Sequence, residues 1–318
     1  MKITILEPLA ITKEQMDAYV QGLRQAGHEV TVYDTRAQSA EELAGRMGDC
    51  ELAVITNTKL PGSAIRAAKQ LKALDVAFTG IDHIDLDACR EKGVTVMNAS
   101  GYSTQAVAEL AIGLAISCLR EIPQHDLATR GGRDHGGFLG GEIAGKTVGI
   151  VGTGAIGLRT AKLFEAFGAK VVAYSRTQRK EALEMGIRYL PLDELFACSD
   201  IVSLHVPSNA GTRHLVGAQQ FACAKPGLIL INTARGPVVD SDALAAALRE
   251  GRVAMAGLDV FDQEPPLPAD NPLLQAPNTV LAPHIAYRTK ESMALRAGIV
   301  FDNIYKYAAG TPQNVCAL

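Results

Sequence analysis

Short apolar runs recur along the chain, and between them lie stretches in which apolar residues return every three or four positions. In the first part the runs fall at 3–6, 30–33, 52–55, 74–78 and 94–97, and the amphipathic stretches at 13–26, 39–47 and 63–72. Runs without strict alternation predict strands buried on both faces, and the helical period between them predicts covering helices, so this part reads as a parallel doubly wound sheet. A longer helical pattern then runs through Val107, Leu110, Ala111, Leu114 and Cys118, with Ser103 as its cap and an end before Pro123. Residues 124–145 are rich in glycine and read as loop. A second series follows, with strands at Val148, Val171, Ile201, Leu228, 253–259 and Val280, six by count. Beyond it residues 291–309 are again helical, and 314–318 reads as a strand or strap that returns to the first series.

The second series opens on VGIVGTGAIG at 148–157, followed by a helix whose apolar face includes Leu163, Phe164 and Phe167 and which stops at Gly168. In a strand–turn–helix context Gly152 permits the tight turn, Gly154 lets backbone approach a pyrophosphate, and Gly157 lets the helix pack on the strand. The N–H groups at the helix start then face the phosphates. This is a dinucleotide site. An acidic residue that would bind the ribose 2′-hydroxyl is expected at the end of the next strand, but Ser175 stands there. The segment supplies Ser175 and Thr177 as hydroxyls and Arg176, Arg179 and Lys180 as cations, which suit a 2′-phosphate. NADP is favoured, with NAD as the alternative if these are only solvated charges.

Composition narrows the classes. The chain has 318 residues, 47% hydrophobic and 20% charged, a size for two domains. No apolar run approaches the ~20 residues that span a bilayer, and the start lacks the build of a secretory signal, so no membrane role and a cytoplasmic location are expected. A net charge of -3 makes nucleic acid a poor partner. The six cysteines form no C-x-x-C pair and read as reduced thiols, and His125 and His135 read as exposed loop histidines without metal spacing, so no metal is expected.

Three charged residues stand at the ends of apolar strands beside glycine or proline: Arg235 in ILINTARGP, Glu264 in GLDVFDQEP, and His284 in VLAPHIA. Strand ends of one parallel sheet converge on the ligand crevice. Arginine binds a carboxylate in bidentate fashion, histidine moves a proton near neutral pH, and a glutamate beside it holds the ring's tautomer. Together they suit hydride transfer to a 2-oxo acid. Taken singly, they read equally well as an ion pair, a loop cap and a strand-end histidine.

With these motifs the chain resembles the D-isomer-specific 2-hydroxyacid dehydrogenases over essentially its full length, through GIDHID at 80–85, VAE at 107–109, the glycine motif, LHVP at 204–207, NTARG at 232–236, GLDVF at 257–261, Glu264-Pro265 and PHI at 283–285. The resemblance implies an α/β protein of two Rossmann-like doubly wound parallel-sheet domains with an active-site cleft between them. The substrate-binding, flavodoxin-like domain would comprise residues 1–100 and 288–318, the dinucleotide-binding domain 101–287, and the assembly would be a homodimer. Arg235 would hold the substrate carboxylate with the amides of Thr79 and Gly80, His284 would donate the proton, and Glu264 would pair with it. Asp259 would orient the nicotinamide amide beside Thr104, Val206, Pro207, Thr233 and Ala234. The cofactor set would extend to Ala155, Ile156, His205, Thr212 and Ala286. The implied reaction is reversible reduction of a small 2-oxo acid to the D-2-hydroxy acid. A dinucleotide-sensing corepressor, or an enzyme of 3-phosphoglycerate or another larger 2-hydroxy acid, is the alternative. Two departures bear on the substrate: Phe78 where relatives commonly have glycine, and Tyr287 with Arg288 where small residues are usual. Phe78 and Tyr287 would fill a small pocket, or else face the core or a second subunit. Relatives often carry a tryptophan before the nucleotide domain, where Phe138 stands here.

Overall fold

The computed structural model describes residues 1–263 and 266–318, and the chain divides into two compact units, Met1–Ser103 with Arg288–Leu318, and Thr104–Tyr287. The first unit holds a five-stranded parallel sheet of β1 (Lys2–Ile5), β2 (Glu29–Val32), β3 (Leu52–Ile55), β4 (Ala73–Val76) and β5 (Thr95–Asn98), in the order β2-β1-β3-β4-β5. The three central strands are apolar enough to be covered on both faces, apart from Asp75, which is fully buried in β4. Helix starts are marked by oxygen-bearing caps: Thr12, Ser39, Asp85 and Thr289 each accept from an N–H of the first turn. Tyr19 of helix Lys13–Gln25 stacks on Phe301 of helix Lys290–Ala308 at 4.1 Å, which ties the returning tail to this unit. The tail ends as a strap, with Val315 bridged antiparallel to Met97 and Cys316 donating to the Val96 carbonyl.

One helix is shorter than its pattern predicts. The stretch expected at 63–72 is helical only over Gly62–Ala67. Lys92 explains the stop, because its Nζ donates to the carbonyls of Ile65 and Ala68 at 3.1 and 2.5 Å and satisfies them without another turn.

The second unit contains a seven-stranded parallel sheet, not six: β6 (Thr147–Val151), β7 (Lys170–Tyr174), β8 (Arg188–Tyr189), β9 (Ile201–Leu204), β10 (Leu228–Asn232), β11 (Val253–Leu258) and β12 (Thr279–Leu281), in the order β12-β11-β10-β9-β6-β7-β8. The strand missing from the sequence reading is β8, whose two residues pair with Val172 and Ala173 and are too few to show a period. Apolar cores lie on both faces, one around Phe196, Phe221 and Leu244, the other around Ile112, Phe164 and Ile229.

Residues 124–145 also differ from expectation, because helix Ile122–Arg130 occupies their start. Glu121 takes a left-handed φ of 44° that breaks the preceding helix Thr104–Arg120, and Pro123 then sits in the first turn of the new one, where its missing N–H costs nothing. His125 is therefore a half-buried helical residue with its ring 4.5 Å from Phe138, while His135 lies exposed in the following loop. All six cysteines are free, and burial pushes the thiols of Cys50, Cys89 and Cys118 up to about 11, 11 and 12. Among the described residues no helix is long and apolar enough to cross a membrane, and no cluster of His, Cys, Asp or Glu could hold a metal.

Candidate active site

The glycine loop between β6 and helix Ala155–Ala166 is shaped by what side chains would collide with. A Cβ on Gly157 would lie 1.9 Å from the Gly152 carbonyl oxygen, and one on Gly152, whose φ is 101°, would lie 2.6 Å from the His205 carbonyl oxygen. Gly154 by contrast faces open space and starts the helix with no side-chain cap, so the N–H groups of Ala155 and Ile156 are left for an outside acceptor. Beside this loop Ser203 Oγ and His205 Nε2 are 2.9 Å apart, and His205 Nδ1 is buried with no partner among the described residues. Burial pushes the imidazole down to about 3, so it is neutral at any working pH. An uncapped helix start, a bulk-free approach and an orphaned buried ring nitrogen together fit a bound dinucleotide.

After β7, Ser175 is half-buried and Arg176, Thr177 and Arg179 are exposed, with no ion pair to either arginine among the described residues. Tyr189 on β8 reaches this segment. Its hydroxyl accepts from the Arg179 N–H at 3.0 Å and donates to Thr153 Oγ1, inside the glycine loop, at 2.9 Å. Nothing in the sequence around Tyr189 marks it as a site residue, since its partners lie far from it along the chain.

The ends of β10, β11 and β12 carry the charged groups. Asn232 closes its own turn, its side chain donating to the Arg235 carbonyl and accepting from the Ala234 N–H, both at 3.0 Å. Gly236 then allows the loop to lie on the next one, because a Cβ there would fall 1.9 Å from the Phe261 carbonyl. Arg235 is half-buried, with Nη1 donating to the Ala234 carbonyl at 2.8 Å. His284 adopts a left-handed φ of 55°, unusual for a side chain with a Cβ, and its N–H donates to the Asp259 carbonyl at 2.8 Å. The fully buried Asp259 carboxylate accepts from the N–H groups of Ile285 and Ala286, both at 2.8 Å. Asp259 thus clamps the backbone that follows His284. Tyr287 meets the His284 ring edge-on, 5.3 Å between centroids. Glu264 lies outside the described residues.

Other candidates sit as follows. Thr233 Oγ1 is buried without a partner among the described residues, beside the half-buried Ala234. Thr212 is buried and its hydroxyl bridges the Pro207 carbonyl and the Asn209 N–H, so it braces the loop holding Val206 and Pro207. Thr104 begins helix Thr104–Arg120 and is partly exposed. In the first unit the Phe78 ring is buried, 6.1 Å from Tyr102 and 6.4 Å from His83. The carbonyls of Phe78 and Thr79 accept from the Ala99 N–H and the Asn98 side chain, at 3.0 and 2.8 Å. Among the described residues nothing accepts from the N–H groups of Thr79 and Gly80. Sequence reading missed Asn98, Asn232 and Tyr189. A lone asparagine ending an apolar strand, as in 228–232 and 95–98, is the signal that finds the first two.

The family model described as D-isomer specific 2-hydroxyacid dehydrogenase, NAD binding domain, matches residues 112–286. The chain is 39% identical over 315 residues to a D-3-phosphoglycerate dehydrogenase of Archaeoglobus fulgidus, covering 98% of this chain and 58% of that one, so it spans little more than half of that relative. It is 33% identical over 323 residues to a hydroxypyruvate reductase of Blautia hydrogenotrophica, covering 99% of both. Among solved structures, an acyclic imino acid reductase in complex with NADPH and D-Arg superposes with a TM-score of 0.90 at 31% identity, covering 100% of both chains.

Proposed function

The chain belongs to the D-isomer-specific 2-hydroxyacid dehydrogenases, and from that premise we propose that it reduces a small 2-oxo acid to the D-2-hydroxy acid with NADPH. The observation that carries the proposal is the clamped His284, held by Asp259 at the carboxyl end of the sheet whose neighbouring strand end carries Arg235. Arg235 holds the substrate carboxylate. His284 donates the proton to the carbonyl oxygen as it becomes the alcohol, and Glu264 pairs with the ring. Bound nicotinamide dinucleotide supplies the hydride. Asp259 serves as the positioning group for the His284 loop, alongside the nicotinamide contact that the family resemblance implies.

Three features support the finer points. Cations and hydroxyls without a carboxylate at 175–180 favour NADPH over NADH, and the imino acid reductase of the same fold is described with NADPH. Tyr287 against His284 narrows the space beside the proton donor, which favours glyoxylate, pyruvate or hydroxypyruvate over 3-phosphoglycerate or a branched acid. Ile122, Leu127 and Leu139 are 48%, 65% and 93% exposed, apolar surface that favours association, and the enzyme is proposed to be a homodimer, located in the cytoplasm. A corepressor would have no need of the Arg, Glu and His set, which the chain retains.

His284→Ala should lower turnover ~100-fold or more, as removal of a general acid does. Arg235→Lys should lose ~2 kcal/mol or more of transition-state binding while cofactor affinity stays within about twofold, because an ammonium cannot replace the planar fork. Glu264→Gln should lower kcat about tenfold or more with coenzyme affinity little changed, since the ring loses the partner that the family resemblance implies. Near-normal turnover of His284→Ala would sink the assignment.

A further inference from the structure

The two segments proposed to meet the cofactor's adenosine end, the glycine loop and residues 175–179, are joined by one side chain that neither motif contains. Tyr189 projects from β8, the short edge strand paired with β7, and its hydroxyl stands between the backbone N–H of Arg179 and the hydroxyl of Thr153. Thr153 is 2% exposed, so its end of the link is fixed within the unit, whereas the Arg179 end is exposed and is held by its own short helix only through its carbonyl, which accepts from the N–H groups of Ala182 and Leu183. A fixed donor–acceptor pair on one side and a solvated loop on the other is the build of a tether. We propose that Tyr189 is a positioning residue for cofactor selection: it sets the spacing between the pyrophosphate-binding loop and the segment that receives the ribose 2′ position.

The proposal rests on the dinucleotide reading, and on NADPH only for which coenzyme suffers. Tyr189→Phe keeps the ring and deletes the hydroxyl. The freed Arg179 N–H turns to water at little cost, the buried Thr153 hydroxyl loses its donor at a cost that the thermal midpoint reads, and residues 175–179 lose their set distance. The affinity for a 2′-phosphate depends on cations being held at one place, whereas the glycine loop itself is untouched, so the loss falls on one coenzyme more than on the other.

The test is direct binding of NADPH and NADH to the full chain, wild type and Tyr189→Phe, followed by fluorescence or calorimetry, with turnover and thermal midpoint measured alongside. The coenzyme that wild type binds better should bind the variant about tenfold more weakly, the other should change by less than about threefold, and kcat at saturation should stay within about twofold. Thr153→Val, which removes the other end of the link, should shift the affinity ratio in the same direction. Unchanged affinities in Tyr189→Phe would overturn the proposal. So would equal weakening of both coenzymes, since that marks a structural role. The wild-type pair alone judges the NADPH reading: if NADH binds better, that reading fails and the tether is judged on NADH.

Discussion

The two sheets share one architecture, yet the loops at their carboxyl ends are held by different means. In the seven-stranded sheet, beside the side-chain holds of Asn232 and Asp259, backbone also lies on backbone, with Gly157 against the Gly152 carbonyl and Gly236 against Phe261, each leaving a Cβ only 1.9 Å. In the five-stranded sheet side chains do the holding. The buried Glu7 carboxylate accepts from the N–H groups of Thr56 and Thr58 and from the Thr58 hydroxyl, and Asn98 ties down the Thr79 carbonyl. Where a large ligand must touch main-chain N–H groups, bulk has to be removed, and glycine is the only residue that does so. Where a loop has only to present two amides, a polar side chain can hold it from behind. The first arrangement should tolerate almost no added atom, and the second should depend on particular hydrogen bonds.

Gly157→Ala breaks the comparison hardest. Its methyl group meets a carbonyl that cannot swing aside, so the helix must move, with a loss of ~1–3 kcal/mol in stability and about 100-fold in coenzyme affinity. Gly45→Ala sharpens it: this glycine lies inside helix Ala40–Met47 of the first unit with nothing within 4 Å, so alanine should stabilise by ~0.5–1 kcal/mol in a denaturant melt.

Asp259→Asn should be intermediate. One of the two N–H groups after His284 would then face an amide NH2 in place of a carboxylate oxygen, a cost of ~1–3 kcal/mol. Steady-state kinetics should show kcat falling about tenfold or more while the dissociation constant of NADPH changes less. An unchanged kcat would mean that the clamp does not position His284.

An effect seen only in the pH dependence concerns Asp75. Burial raises its carboxyl to about 7, with a hydrogen bond from Asn303 opposing that rise in part. The folded state therefore keeps a proton that the unfolded chain releases near pH 4, so this group's contribution is full below that pH and is lost as pH rises through about 7. Asp75→Asn should flatten the pH dependence, shrinking the stability difference between about pH 5 and pH 8 by ~1–3 kcal/mol in urea melts. An unaltered slope would place the titration elsewhere.

How much of this was legible in the sequence follows the same division. The glycine loop could be read because its function demands residue types at fixed spacing, and the ends of β10 and β12 because an isolated Arg or His after an apolar run is conspicuous. The clamp on His284 could not, since Asp259 and its acceptor role toward residues 285 and 286 are joined only through the pairing of β11 with β12. Pro123 misled for a physical reason: proline stops a helix and also opens one, and the left-handed Glu121 decides which. The early end of helix Gly62–Ala67 depends on Lys92, an exposed-looking lysine whose use as a carbonyl cap is a tertiary event.

The most direct measurement is kcat/KM of the purified chain for NADPH and NADH with glyoxylate, pyruvate, hydroxypyruvate and larger 2-oxo acids. The account predicts turnover of the small acids to D-2-hydroxy acids, with NADPH preferred by about tenfold or more. A clear preference for NADH, or tight coenzyme binding with no turnover of any 2-oxo acid, would contradict it.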